Sequence, residues 1–300
     1  MKVDIIQGNT GCIAGDRILI GLYLTDPGHC ILLDCGPCAL RDDIEAALAD
    51  AGLVPIGVFA THVHYDHFGN AAYFQKKYGI PVALSFGEAE LCRTFPAIKS
   101  HLFAYPAGQI MSDPKLANLV CRADILIEEG CDSIELGGAT FGILHTPGHS
   151  PDHLSILTPD GICYAGDALL SGRSLTGAKL PYAFNIRQNL ETIEQFRTLD
   201  CEALILAHHG IIHAPFDTIV DENRDLFEDR LERIRRLIDH PMTTVDIAAA
   251  VKDAMGIVTE TPEKAQNLER FMRPFLECLL DDHSIRIDVS SGALCYVSVD

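Results

Sequence analysis

Ten consecutive residues, Thr61-His62-Val63-His64-Tyr65-Asp66-His67-Phe68-Gly69-Asn70, put three histidines and an aspartate within six positions. They follow directly on the apolar run 57–60. A strand that leaves its sheet into such a turn fans these side chains around one point. Imidazole and carboxylate are the ligands that suit zinc and related divalent ions. A plain polar surface loop accounts for one stray histidine, not for four ligand-type residues between a strand and a helix. The segment is therefore read as a metal site, and the chain around it as a scaffold that delivers strand ends to one place.

Three later segments repeat the placement. His149 stands in His145-Thr146-Pro147-Gly148-His149-Ser150, after the apolar run 141–144. Asp167 ends Tyr164-Ala165-Gly166-Asp167, again just past an apolar run. His209 stands in Ala207-His208-His209-Gly210, after residues 204–207. Binding sites of α/β folds gather at strand ends in this way.

The first two hundred residues alternate short apolar runs with amphipathic ones. Residues 18–24, 30–33, 58–60, 82–84, 141–144, 153–157, 162–164 and 204–207 read as strands, and 39–51, 71–78 and 189–198 as helices. Strands that arrive both as neighbours and separated by helices imply mixed sheets with helices packed outside. Residues 95–122 and 171–184 lack periodicity and read as long loops that shape a binding site. Arg173, Lys179 and Tyr182 in the second loop are candidates for holding an anionic group. Beyond residue 215 the texture changes to helices at 221–240, 243–254 and 262–280, then a hairpin over 284–289 and 293–299. Three helices and a hairpin resemble a winged-helix unit. The expected organisation is a catalytic domain over 1–217 and a winged-helix-like domain over 218–300.

A formal charge of −19 argues against a polyanionic partner, because a nucleic-acid binder needs a basic face. The tail is no exception: residues 221–300 hold ten Lys/Arg and seventeen Asp/Glu. It is read as packing on the catalytic domain, closing the pocket or making a homodimer contact. No apolar run approaches the roughly 18 residues of a membrane span. The first residues lack the apolar core and small-residue cleavage site of a signal peptide, so the expectation is a cytoplasmic protein with reduced thiols. Cys35-Gly36-Pro37-Cys38 has the spacing of a redox pair. The rest of the chain does not read as a thioredoxin, so these cysteines are taken as structural.

Taken in order, these motifs resemble the metallo-β-lactamase superfamily across roughly residues 1–212. Asp34 and Gly36 match its first motif, and His62, His64, Asp66 and His67 its second. His149, Asp167 and His209 match the third, fourth and fifth. The resemblance implies an α+β fold, a four-layer αββα sandwich with the metal site at the edge between its sheets. It further implies that His62, His64 and His149 hold one metal, that Asp66, His67 and His209 hold a second, and that Asp167 bridges both. The family usually has Gly-His-Gly at the fifth motif where this chain has His208-His209-Gly210, and His209 is preferred because it precedes the glycine. His145, His153 and His213 are read as structural or supporting.

The implied activity is hydrolysis by two divalent ions, zinc first and iron or manganese as alternatives, with Asp66 shuttling the proton. A thioester or lactone of a small molecule is the expected substrate, as in a glyoxalase II-like enzyme. The alternatives are single-stranded RNA cleavage and a mono-iron persulfide dioxygenase.

Overall fold

The computed structural model describes residues 1–208, 210–290 and 292–299. One mixed sheet of seven strands runs in sequence order: β1 (Lys2–Gln7), β2 (Thr10–Ala14), β3 (Leu19–Asp26), β4 (His29–Leu33), β5 (Val54–Phe59), β6 (Val82–Ser85) and β7 (Ile125–Ile127). The first four are antiparallel, and β4 to β7 run parallel. The second sheet has six strands, ordered from β13 (Ile211–His213) through β12 (Ala203–Leu206), β11 (Ile162–Gly166), β10 (Leu154–Leu157) and β9 (Ala139–His145) to β8 (Ser133–Leu136).

Parallel pairing needs crossovers, and helices supply them. After β4 comes α1 (Arg41–Asp50), and after β5 come α2 (Tyr65–Phe68) and α3 (Ala71–Tyr78). Between β6 and β7 lie α4 (Phe86–Cys92), α5 (Phe95–His101), α6 (Ala107–Ser112) and α7 (Pro114–Ala117). Between β11 and β12 lie α8 (Gly172–Gly177) and α9 (Ile186–Gln195).

Three apolar clusters fix the layers. Phe59, Phe141, Tyr164, Ile31 and Ile205 fill the space between the sheets, with Phe141 edge-on to Tyr23 and Phe59. Alternate residues of the first sheet, among them Leu32, Val58 and Val82, turn outward onto Ile44 and Leu48 of α1 and Phe74 of α3. The outer face of the second sheet, with Cys163, Leu204 and Leu206, packs under Ile186 and Ile193 of α9. The result is the expected α+β, four-layer αββα sandwich.

The C-terminal segment continues that last cluster. It comprises α10 (Asp217–Leu237), α11 (Thr244–Met255), α12 (Pro262–Asp281) and a hairpin of β14 (Ile285–Asp288) and β15 (Cys295–Ser298). Thr243 opens α11 with a full capping box to Asp246, and Gly256 ends it in the left-handed conformation. Phe227, Met272 and Phe275 belong to the same cluster as α9 and β12, so the tail is packed onto the sandwich rather than tethered to it.

Two sequence expectations change. Residues 95–122 and 171–184 are not bare loops: the first holds three helices of seven, six and four residues, and the second holds the six-residue α8. At one to two turns each, they are too short to show a helical period. Strands β1, β2, β7, β8 and β13 also escaped the reading; β1 is half-exposed along its length, and β7 and β13 have three residues each. No helix among the described residues is long and apolar enough to cross a membrane.

Candidate metal centre

Along one edge of the sandwich the end of β5 is tied to the start of β10, and the end of β12 to the end of β11 and the start of β3. Leu154 N donates to Thr61 O at 3.0 Å, Ala207 N to Gly166 O at 3.1 Å and Leu19 N to Ala207 O at 2.8 Å. Every turn that carries a candidate ligand opens on this edge. Immediately past β5 the chain makes one tight turn, in which Phe68 N returns to His64 O at 2.8 Å.

Three ring nitrogens converge there. His62 Nε2 and His149 Nε2 each lie 2.9 Å from His64 Nδ1. His62 and His64 are held well below the usual imidazole range, chiefly by burial, and burial brings His149 down to about 4. Neutral imidazoles present lone pairs, and three lone pairs aimed at one point call for a cation.

The His62 tautomer is set from behind. The Thr61 hydroxyl gives its proton to Asp34, at 2.9 Å from Oδ2, so it accepts from His62 Nδ1–H at 2.9 Å and leaves Nε2 free to face the site.

A second donor set faces the first. Asp66 Oδ2 lies 3.1 Å from His208 Nε2, and His67 Nε2 lies 3.3 Å from Asp167 Oδ1. Asp167 joins the sets, with Oδ1 toward His67 and His208 and Oδ2 3.3 Å from His149 Nε2. Burial would raise the Asp167 carboxyl, but the charges of His67 and His208 outweigh it and hold the group well below its ordinary value. In return, the Asp167 charge raises His208 to about 10. Burial opposes protonation of His67, yet Asp167 and Asp66 hold that ring well above its usual value.

The residues fit a bound metal. His67 Nε2 and Asp167 Oδ1, both at the centre, are buried without a hydrogen-bond partner, a costly state for polar atoms unless a cation satisfies the site. The donors group as His62, His64, His149 and Asp167 on one side, and Asp66, His67 and His208 on the other.

Asp34 also lies near His62 and His67, but its oxygens are already committed. They accept from Thr61 N at 2.7 Å, Thr61 Oγ1, His67 Nδ1 at 2.7 Å and the Tyr164 hydroxyl at 3.0 Å. Asp34 thus orients His67. Its own backbone is in the left-handed region (φ 64°), which aspartate tolerates better than most residues.

Of the residues read from sequence, His62, His64, Asp66, His67, His149 and Asp167 meet at this centre. His209 lies outside the described residues. Its neighbour His208, passed over in the sequence reading, brings Nε2 to the second set. His153 is buried and supports the centre: its Nδ1 bonds Thr146 Oγ1 at 2.8 Å, and its Nε2 accepts from Asp167 N at 3.3 Å. His145 bonds Cys131 O at 3.2 Å, and His213 is exposed on β13. The Cys35 thiol is buried, donates to His67 O at 3.3 Å and is pushed well up by burial, so it braces the turn. Tyr182 lines the cavity before the metal centre, whereas Lys179 bonds Gly256 O and lines a separate one, and Arg173 is solvent-exposed.

Two contributions were not named by residue from the sequence, although the tail was expected to close the pocket. Glu88 of α4 is fully buried, and its carboxylate accepts from Val63 N at 3.0 Å and Asp152 N at 3.1 Å. It ties the His62–His64 turn to the loop after His149, and burial raises it to about 6. The other is α12, which sends Asn267, Arg270 and Phe271 to the cavity wall. Arg270 stacks 4.6 Å over the Tyr182 ring and donates to its hydroxyl at 2.9 Å.

A family model described as the metallo-beta-lactamase superfamily matches residues 16–208. This chain belongs to that superfamily. Among curated relatives, the probable metallo-hydrolase YqgX of Bacillus subtilis (strain 168) is 28% identical over 193 residues, covering 63% of this chain and 83% of that protein. A hydroxyacylglutathione hydrolase of Hamiltonella defensa is also 28% identical, over 60% of this chain and 57% of its own length. A Yersinia enterocolitica protein of the same name matches over 61% of its length, so the chain spans under two thirds of these two relatives. Two solved structures share the fold across nearly the whole chain. A beta-lactamase domain protein from Burkholderia ambifaria has a TM-score of 0.73 at 18% identity, covering 99% of this chain and 93% of that one. A metallo-beta-lactamase family protein from Thermus thermophilus has a TM-score of 0.71 at 20% identity, covering 96% of this chain and 97% of that one. These metallo-hydrolase relatives agree with the His/Asp cluster as a metal-binding site.

Proposed function

We propose that the chain is a dinuclear metal-dependent hydrolase of small acyl compounds, thioesters or lactones, with zinc as the expected metal. The observation that carries this reading is Asp167, whose two oxygens face two separate donor sets. His62, His64 and His149 would hold one ion, Asp66, His67 and His208 the other, and Asp167 both. Assigning His208 rather than His209 rests on the 3.1 Å approach of its Nε2 to Asp66. Hydroxyacylglutathione hydrolase names among the relatives favour a thioester.

Bound divalent ions supply Lewis acidity and make hydroxide available near neutral pH. The protein's own groups do the rest. Thr61 and Asp34 hold the Nδ1 atoms of His62 and His67, so that Nε2 of each ring faces the centre and would present its lone pair to a bound ion. Asp66 is only partly buried and carries a carboxylate at the mouth, suited to holding the proton that a reacting water gives up. Tyr182 and Arg270 form the wall against which a substrate oxygen would rest.

Metal content measured by plasma mass spectrometry tests the dinuclear reading. Two equivalents per chain in the native protein, falling in Asp167→Ala, support it. One iron per chain, or full content in the variant, overturns it.

A further inference from the structure

The cavity in front of the metal centre is small, about 250 Å³, and is lined by His64, His149, Asp167, Tyr182 and Arg270 among others. Sites that bury a whole small molecule run to roughly 300–1,000 Å³. The metal-facing cavity therefore holds the reacting bond and little more. A second cavity of about 590 Å³ adjoins it, with Tyr182 and Arg270 as the shared wall. It lies between the α4–α5 segment and α12, and its lining is largely apolar: Leu91, Ala97, Phe103, Pro151, Phe184 and Pro274.

Phe103 and Phe184 are 58% and 44% exposed, an arrangement that favours a covering apolar group. The Arg273 guanidinium lies 5.9 Å from the Phe103 ring centroid. Its Nε is buried without a hydrogen-bond partner.

We infer that this second cavity binds the apolar arm of the substrate, so that the enzyme selects amphipathic acyl compounds with an extended alkyl or aryl chain. The inference rests on the acyl-hydrolase reading and names its substrate class. Geometry carries it: the scissile bond lies at the metal centre, the chain passes the Tyr182–Arg270 pair, and the arm rests against α5 and α12. An acyl chain and an alkyl leaving group share this chemistry, and the test separates them.

Two thioester series are to be hydrolysed by the full-length, metal-loaded enzyme. One varies the acyl group from two to twelve carbons on a fixed thiol, and the other varies an alkyl thiol on a fixed acetyl group. In one series kcat/KM is expected to rise about threefold to fourfold per buried methylene before levelling off. Ala97→Trp, which fills the cavity, should flatten that rise. Phe184→Asp, at an exposed position that a polar residue tolerates in folding, should also flatten it. The series that rises identifies the end of the substrate that enters. Flat profiles in both series, or a slope that both variants leave unchanged, overturn the inference.

A binding arm separates failure of this inference from failure of the hydrolase reading. An anilinonaphthalene sulfonate probe, titrated into the metal-loaded protein and displaced by dodecanoate, reports the cavity without turnover. If no thioester is cleaved, displacement that is lost in both variants keeps the apolar site and removes the acyl-hydrolase reading. No displacement removes the site.

Discussion

Asp34→Asn tests whether the metal centre depends on groups that never touch the metal. The change keeps the side-chain shape and the left-handed backbone, which asparagine tolerates as well as aspartate. It replaces one acceptor oxygen by an NH₂ donor in a fully buried position. Three neighbouring residues feel the change. Tyr164 can turn its hydroxyl to Leu19 O, 3.3 Å away, and Thr61 can keep the remaining amide oxygen through both N at 2.7 Å and Oγ1 at 3.1 Å, which preserves the His62 tautomer. His67 Nδ1, 2.7 Å from the old carboxylate, has no such escape. Facing a donor, the ring must carry its single neutral-state proton on Nε2, the atom that points into the site. Loss of a supporting carboxylate typically costs 10–100-fold in metal affinity. That is about 1.4–2.7 kcal/mol, and it should fall on the Asp66, His67 and His208 set. The metal-free protein should also lose about 1–3 kcal/mol, the cost of a stranded buried polar group. Chelator competition read by metal analysis measures the first quantity, and denaturant unfolding of the metal-free protein the second. Retention of both metals at native affinity would refute the tautomer argument. Equal loss of both metals would show that Thr61 does not keep its donation to the amide oxygen and that the His62 tautomer fails with that of His67.

Two further outcomes are expected. His208→Ala should remove one metal equivalent while leaving the other, and His209→Ala should change neither; the reverse pattern, read by metal analysis, would return the fifth-motif ligand to His209. Glu88 has a folded-state pKa raised from 4.5 to about 6 by burial, so its contribution to stability is fully present below pH 4.5 and declines as pH rises through 6, by roughly 2 kcal/mol. Glu88→Gln should remove that part of the slope between pH 4.5 and 7 in denaturant unfolding, and an unchanged slope would show that the carboxyl does not titrate there.

Much of the centre is legible in the sequence because its chemistry is local. His62, His64, Asp66 and His67 lie in one turn, and His149 and Asp167 each follow a strand whose apolar run announces it. What the sequence hides is what distance in the chain assembles. Tyr105 reaches Asn267 Oδ1 at 2.5 Å across 162 residues, and Arg270 meets Tyr182 across 88. On their own helix, Asn267 and Arg270 look like ordinary solvated positions of α12. Glu88 likewise reads as one acid on a short helix until burial and two backbone donors give it a role. His208, one of two adjacent identical residues, carries no mark of its own in sequence and is brought forward by the 3.1 Å approach of its Nε2 to Asp66. Four of the missing strands, β1, β7, β8 and β13, share a simpler cause: three- and four-residue strands and a half-exposed edge carry too few apolar positions to show alternation.

Hydrolysis of a mixed panel of thioesters, lactones, simple esters and single-stranded RNA by the metal-loaded enzyme, with Asp167→Ala as the blank, tests the central claim most directly. Cleavage confined to acyl compounds and abolished in the variant is the predicted result. Cleavage of RNA alone, or acyl cleavage that survives the loss of Asp167, would contradict it.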